Sequence, residues 1–192
     1  MSYILYKPNK SNTGSACQFN AKFDDECLYA QITKQVAWEN NKGLFKGGKR
    51  LVSKLNTWEA GHIISAIERN TDWETVHATE KNKTQVKFNR YFKYDSETKT
   101  YTDVQLGFSF SLGHKEGDQM QWWRMGINFG ESEVLKSYLR WFLSAVYNRQ
   151  LMRSEMEKAA APLVKSEKPA EKPVETPQDS EGVEPPADDG SL

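Results

Sequence analysis

Two cysteines, Cys17 and Cys27, are all that the 192 residues contain. They are too few for a disulfide framework and lack the further Cys or His spacing of a zinc site, so both read as small buried apolar residues. Histidine is as sparse, and His62, His77 and His114 share no metal-ligand spacing. A Walker loop, a Gly-x-Ser-x-Gly elbow and a Cys–His signature are also missing. The carboxylate pair Asp24-Asp25 falls where a solvated hairpin turn is expected, since Asp is a standard turn residue. The expectation is a protein that is not an enzyme, with no catalytic residue, no metal and no cofactor. No apolar run reaches about 18 residues. The start Met1-Ser2-Tyr3-Ile4-Leu5-Tyr6-Lys7 lacks the charged and apolar regions of a signal peptide. A soluble protein of the cytoplasm, away from membranes, is expected.

Proline is nearly absent from most of the chain: Pro8 stands alone, and the other six lie between Pro162 and Pro186. Beyond that boundary the sequence is rich in Glu, Pro, Lys and Asp and holds no aromatic residue. Such a composition buries too little apolar surface to offset its ordering entropy. The expected organisation is one domain over residues 1–160 and a disordered acidic tail over 161–192. The formal charge of zero hides an asymmetry: residues 164–192 carry three Lys against eight acids, a net of −5, which leaves +5 on residues 1–163. A body of that sign attracts phosphate, and the tail opposes it.

What the body does have is period-two alternation, the mark of strands with one buried face. Val104, Leu106, Phe108, Phe110 and Leu112 form one apolar stripe; Cys17, Phe19, Ala21 and Phe23 a second; Val86, Phe88, Arg90, Phe92 and Tyr94 a third; Trp123, Met125, Ile127 and Phe129 a fourth. Helical spacing replaces it twice. Asn56-Thr57-Trp58-Glu59 reads as a capping box ahead of Ala60, Ile63, Ile64 and Ile67, which predicts a helix over 57–70. A second, more apolar helix is predicted from Glu131 through Tyr138, Phe142 and Val146 to about Met152. Strands expected over 3–6, 15–24, 27–38 and 44–55 precede the first helix; strands over 73–79, 84–94, 101–113 and 118–129 precede the second. The fold class is therefore α+β, a tandem ββββα repeat of antiparallel sheets whose helices pack at the core or an oligomer interface. The second helix carries apolar residues on more than one stripe, which predicts a homo-oligomer, dimer or tetramer.

The residues that could bind are cations beside rings. Phe45-Lys46-Gly47-Gly48-Lys49-Arg50 sets three cations around a glycine pair: glycines permit close backbone approach to phosphate, cations neutralise it, and a ring stacks a base. A basic hairpin edge with a bulge has the same composition. Lys34 and Trp38 lie on the strand expected to pair with this segment. In the second half, if Val86, Phe88 and Phe92 face the core, then Lys87, Asn89, Tyr91 and Lys93 face outward. By the same alternation Trp122 and Arg124 point out, where Trp122 suits base stacking or an oligomer interface. Trp58, Trp73, Trp123 and Trp141 read as core.

The run Gly14-Ser15-Ala16-Cys17-Gln18-Phe19 through Leu28-Tyr29-Ala30-Gln31-Ile32, then Trp38, Phe45-Lys46-Gly47-Gly48-Lys49-Arg50-Leu51 and Leu55-Asn56-Thr57-Trp58, resembles the DNA-binding domain of the coactivator positive cofactor four. The tandem ββββα arrangement resembles the Whirly proteins, a superfamily in which phages encode single-stranded DNA-binding members, although Whirly's Lys-Gly-Lys-Ala-Ala motif is absent. The resemblance implies sheets that present single strands to ring and basic side chains, and by position it assigns Lys34, Trp38, Phe45, Lys46, Lys49 and Arg50 to nucleic-acid contact. It implies sequence-tolerant binding of single-stranded DNA in replication, recombination or repair, in host cytoplasm if the source is a phage. Single-stranded or guide RNA is the alternative ligand, and a transcription-regulating scaffold whose rings contact protein is the alternative class. The acidic end, Gly182-Val183-Glu184 to Leu192, resembles the tails by which replicative single-stranded DNA-binding proteins recruit replication or recombination partners; a solubilising tail is the other reading.

Overall fold

The two capping boxes divide the chain into its repeats. The first joins Asn56 and Glu59, with Glu59 N–H donating to Asn56 Oδ1 and Asn56 N–H to Glu59 Oε2, both at 2.9 Å. The second, Asn128 with Glu131, has the same two bonds at 2.8 Å. This second Asn-x-x-Glu was legible in the sequence and places the helix start ahead of the expected Glu131. The computed structural model describes residues 2–78 and 83–165, with side chains through 160. By its contacts the chain forms two units, Met1–Arg153 and Ser154–Leu192. In the second unit residues 154–165 are helical, and the expected acidic tail otherwise lies outside the described residues.

The first repeat comprises β1 (Ser2–Lys7), β2 (Ser15–Lys22), β3 (Cys27–Lys34), β4 (Ala37–Glu39), β5 (Lys42–Leu44), β6 (Arg50–Asn56) and α1 (Thr57–Arg69). The second comprises β7 (Trp73–Ala78), β8 (Lys83–Asp95), β9 (Thr100–Glu116), β10 (Gln119–Asn128) and α2 (Phe129–Lys165). Two four-stranded antiparallel sheets result, ordered β1-β2-β3-β6 and β10-β9-β8-β7. Their inner faces meet at Phe19 and Phe110, both fully buried, with ring centroids 5.0 Å apart. From α2, Tyr138 donates its hydroxyl to Phe19 O at 3.1 Å and accepts from Ala21 N–H at 3.2 Å, and burial raises its pKa above the usual phenol value. Tyr3 donates to Glu131 O at 3.0 Å, tying β1 to the start of α2; burial first, then the Glu131 charge, push its pKa up to about 12.

Five local expectations are corrected. The strand expected over 27–38 ends at Lys34, and the one expected to open at Leu44 opens at Arg50. Between them β4 and β5 form a separate hairpin, because Asn40 and Asn41 adopt left-handed φ of 49° and 60°, the geometry of a two-residue hairpin turn. α2 runs on past Met152 to Lys165, since Glu155, Met156, Glu157, Lys158 and the alanines that follow are strong helix formers without an apolar stripe to mark them. Val104 and Leu106 are exposed, because the β8–β9 ribbon extends beyond both neighbours: the last pairings are Trp73 with Phe88 and Asn128 with Gly107. Trp58 and Trp141 are not core; Trp58 is 67% exposed against His62, and Trp141 packs edge-on against Phe23. Trp123 is buried as expected.

Candidate nucleic-acid interface

Pairing register sets the outer face of the first sheet in rows. Tyr6, Ala16, Thr33 and Arg50 stand side by side across four strands, and Ile4, Gln18, Gln31 and Val52 form the next row. Tyr6 packs on Phe45 with ring centroids 5.7 Å apart, raising a wall over this floor. The result is a cavity of about 460 Å³ that also takes in Lys46, Gly47 and Gly48. The glycine pair has a structural reason here. Gly47 sits at φ 81°, and a Cβ on Gly48 would lie 2.1 Å from Lys34 O, so the turn that carries Lys46 over the sheet requires both.

On the second sheet, Arg124, Ser111, Lys87 and Glu74 form one row, with Gly126, Ser109 and Asn89 beside it. The small residues leave a trough of about 470 Å³, walled by Tyr91, Phe92 and Tyr101. Phe92 faces this trough, not the core as alternation predicted, because the register slips between Tyr91 and Phe92 and again before Tyr94. The same slip leaves Lys93 outside the trough lining. Two of the trough's cations are engaged: Lys87 with Glu74 at 2.9 Å, and Arg90 with both Asp72 carboxylate oxygens at 3.3 and 3.2 Å. Arg90 is the main reason the Asp72 carboxyl lies below its usual pKa.

Trp122 lies flat on the neighbouring strand, where a Cβ on Gly113 would meet its ring at 2.9 Å. Lys87 and Arg124 flank it, 5.3 and 5.7 Å from the ring centroid. It faces a third cavity, about 280 Å³, between the repeats, with Lys34, Arg124, Thr13 and Ser15. Of the expected residues, Phe45, Lys46, Gly47, Gly48 and Arg50 line the first groove, Lys87, Tyr91 and Arg124 the second, and Lys34, Trp122 and Arg124 the junction. Trp38 stands apart on β4 opposite Gly43. Lys49 contributes its carbonyl, which accepts from Lys34 N–H at 2.9 Å and Trp123 Nε1–H at 3.2 Å, while the Lys34 ammonium rests 4.8 Å from the Trp123 ring. Sequence reasoning missed Tyr6, Gln18, Gln31 and Thr33, whose shared row only strand register reveals, and Tyr101, which only the hairpin fold brings beside Tyr91 and Phe92.

None of these three cavities is lined by an acidic side chain, and each holds at least two cations. Among the described residues no cluster of His, Cys, Asp or Glu could hold a metal ion, and no helix is long and apolar enough to cross a membrane.

The architecture has solved counterparts. WHY1 from Arabidopsis thaliana superposes with a TM-score of 0.56 at 16% identity, over 84% of this chain and 93% of that one. The chain has the Whirly fold. A guideRNA-binding protein complex bound to a gRNA matches at TM-score 0.55 and 13% identity, over 77% of this chain and 91% of that one. The plant transcriptional regulator PBF-2 matches at TM-score 0.53 and 14% identity, over 81% and 95%. No family model and no curated protein matches the sequence.

Proposed function

We propose that this protein binds single-stranded nucleic acid, DNA before RNA, through base stacking and counterion release on the outer faces of its two sheets. The observation that carries this reading is the make-up of the cavity linings: in a chain of zero net charge, both outer-face cavities and the junction between them are lined by rings and cations with no acidic residue in the lining, Glu74 and Asp72 standing at the trough's margin. Rings present faces to any base and cations meet the backbone, so the binding is sequence-tolerant. Exposed single strands of this kind arise in replication, recombination and repair in the cytoplasm. Residues 1–160 are the binding domain, and 161–192, with their acidic excess, are the recruiting segment for partner proteins. Titration of a labelled 20-nucleotide strand tests the reading. An affinity tighter than about 10 μM at low salt is expected, a generous limit given ordinary non-specific strengths. Failure to bind would leave a protein-contacting scaffold as the better account.

RNA is the second reading, favoured by the structural counterpart bound to a gRNA. Competition between DNA and RNA of matched sequence separates the two. The protein acts as a homo-oligomer: α2 exposes Val134, Trp141, Tyr147, Leu151 and Met152, apolar surface that a second copy would cover. Light scattering should give at least twice the 22.1 kDa chain mass at micromolar concentration, and a monomer would contradict it.

A further inference from the structure

The loop between β1 and β2, residues 8–14, is held far more firmly than a solvent loop requires. Gln35, just past the end of β3, is 7% exposed and uses its whole amide on this task. Its Nε2 donates to Asn9 O at 2.9 Å, to Asn12 Oδ1 at 3.1 Å and to Ala37 O at 2.9 Å, and its Oε1 accepts from Asn9 N–H at 2.9 Å. Its backbone N–H donates to Gly14 O at 2.9 Å. Gly14 is packed so closely that a Cβ would lie 2.3 Å from Gln35 Oε1 and 2.4 Å from Lys7 O. Asn9 closes the loop on itself, donating Nδ2–H to Thr13 Oγ1 at 2.8 Å and accepting from Thr13 N–H at 3.0 Å. The clamped tip stands in the junction cavity, where Asn12, Thr13 and Ser15 face Trp122, Lys34 and Arg124 with no acid among them. Arg124 also lines the second-sheet trough, so the two spaces adjoin at this side chain.

We infer that the β1–β2 loop is a preformed part of the binding surface, and that Gln35 is the positioning residue that holds it there. The loop and the second-repeat residues Trp122 and Arg124 together form a subsite for one nucleotide and its phosphodiester, where a strand leaving the second-sheet trough crosses between repeats. A rigid loop pays its ordering entropy during folding and not during binding, which is what such clamping accomplishes. The inference rests on the proposed single-strand binding and adds to it elements from residues 9–14 and Gln35.

Thr13 is exposed at the tip, so a charge can be placed there without disturbing the core. Thr13→Glu should weaken binding of a 20-nucleotide DNA strand about eightfold at about 50 mM salt and flatten the salt dependence by about 0.7, the loss of one phosphate contact. Matched RNA should show the same change, because the phosphodiester is common to both. Thr13→Gln, which removes the same hydroxyl without adding charge, should weaken binding less than Thr13→Glu and leave the salt slope at the parent's value. In a Gln35→Ala background the Thr13→Glu penalty should shrink, since a loop no longer clamped no longer holds the charge in the junction; a purely structural Gln35 would leave that penalty unchanged. Thr13→Glu alone keeps the test decisive if Gln35→Ala does not fold. Equal affinities for Thr13→Glu and the parent, with Lys46→Ala still weakening binding, would overturn the junction subsite and leave the sheet-face reading standing. Absence of binding by the parent would overturn both.

Discussion

Asp72→Asn should make the protein bind single strands more tightly, an outcome opposite to that of most substitutions in a binding groove. Arg90 lines the second-sheet trough, yet its guanidinium is held by both Asp72 oxygens, so the pair presents little net charge to a strand. Asn keeps an oxygen that can still accept from Arg90 N–H, the 2.6 Å bond that fixes the local backbone, while removing the negative charge. The freed cation then adds about one phosphate contact, which steepens the slope of log affinity against log salt by about 0.7. Relative to about 1 M salt, where the term vanishes, that slope corresponds to about eightfold at 50 mM and about twofold at 300 mM. The stability cost is small, because an exposed ion pair is worth at most about 1 kcal/mol. Fluorescence anisotropy across that salt range is the assay. Acid does not substitute for the mutation: Arg90 lowers the Asp72 pKa, so the carboxylate stays charged until the pH falls below the usual carboxylate range. Sign follows from the same shift, with the pair's contribution to stability present above the ordinary Asp value and lost as pH falls through the lowered one. An unchanged salt slope in Asp72→Asn would refute the claim that strands pass over this trough.

Lys46→Ala should weaken binding and flatten the salt slope by about 0.7, whereas Trp122→Ala should cost about 1–3 kcal/mol nearly independent of salt; the two effects are separated in one salt titration. Gly48→Ala should lower the urea midpoint and weaken binding together, because its Cβ would collide with Lys34 O at 2.1 Å and shift the turn that carries Lys46; a variant with parental stability would show that the turn adjusts freely. Removing residues 166–192, which hold two Lys against eight acids, should tighten strand binding more at about 50 mM than at about 300 mM salt, where screening is stronger. Equal affinities of the two forms at both salts would assign that segment to partner recruitment or solubility alone.

Alternation and capping, both properties of neighbours in sequence, determined the tandem ββββα order, the inward set Phe19, Phe88, Phe110 and Trp123, and the outward cations Lys87 and Arg124. These are short-range consequences of a period of two in strands and of orphan amides at helix starts, so the chain states them locally. Tertiary structure decided what depends on residues far apart meeting. The slip at Tyr91 turned Phe92 from core to trough, a change set by pairing with Gln105 and not by its own neighbours. Asp72 took the charge of Arg90, Gln35 closed on Asn9 and Asn12, and Trp122 found Gly113 to lie on. Exposure of Trp58 and Trp141 was equally out of reach, since a helix stripe says which side is apolar but not how much of it one sheet covers. Strand register and long-range contact are properties of the whole fold, and they convert a scatter of rings and cations along the chain into two grooves and a junction.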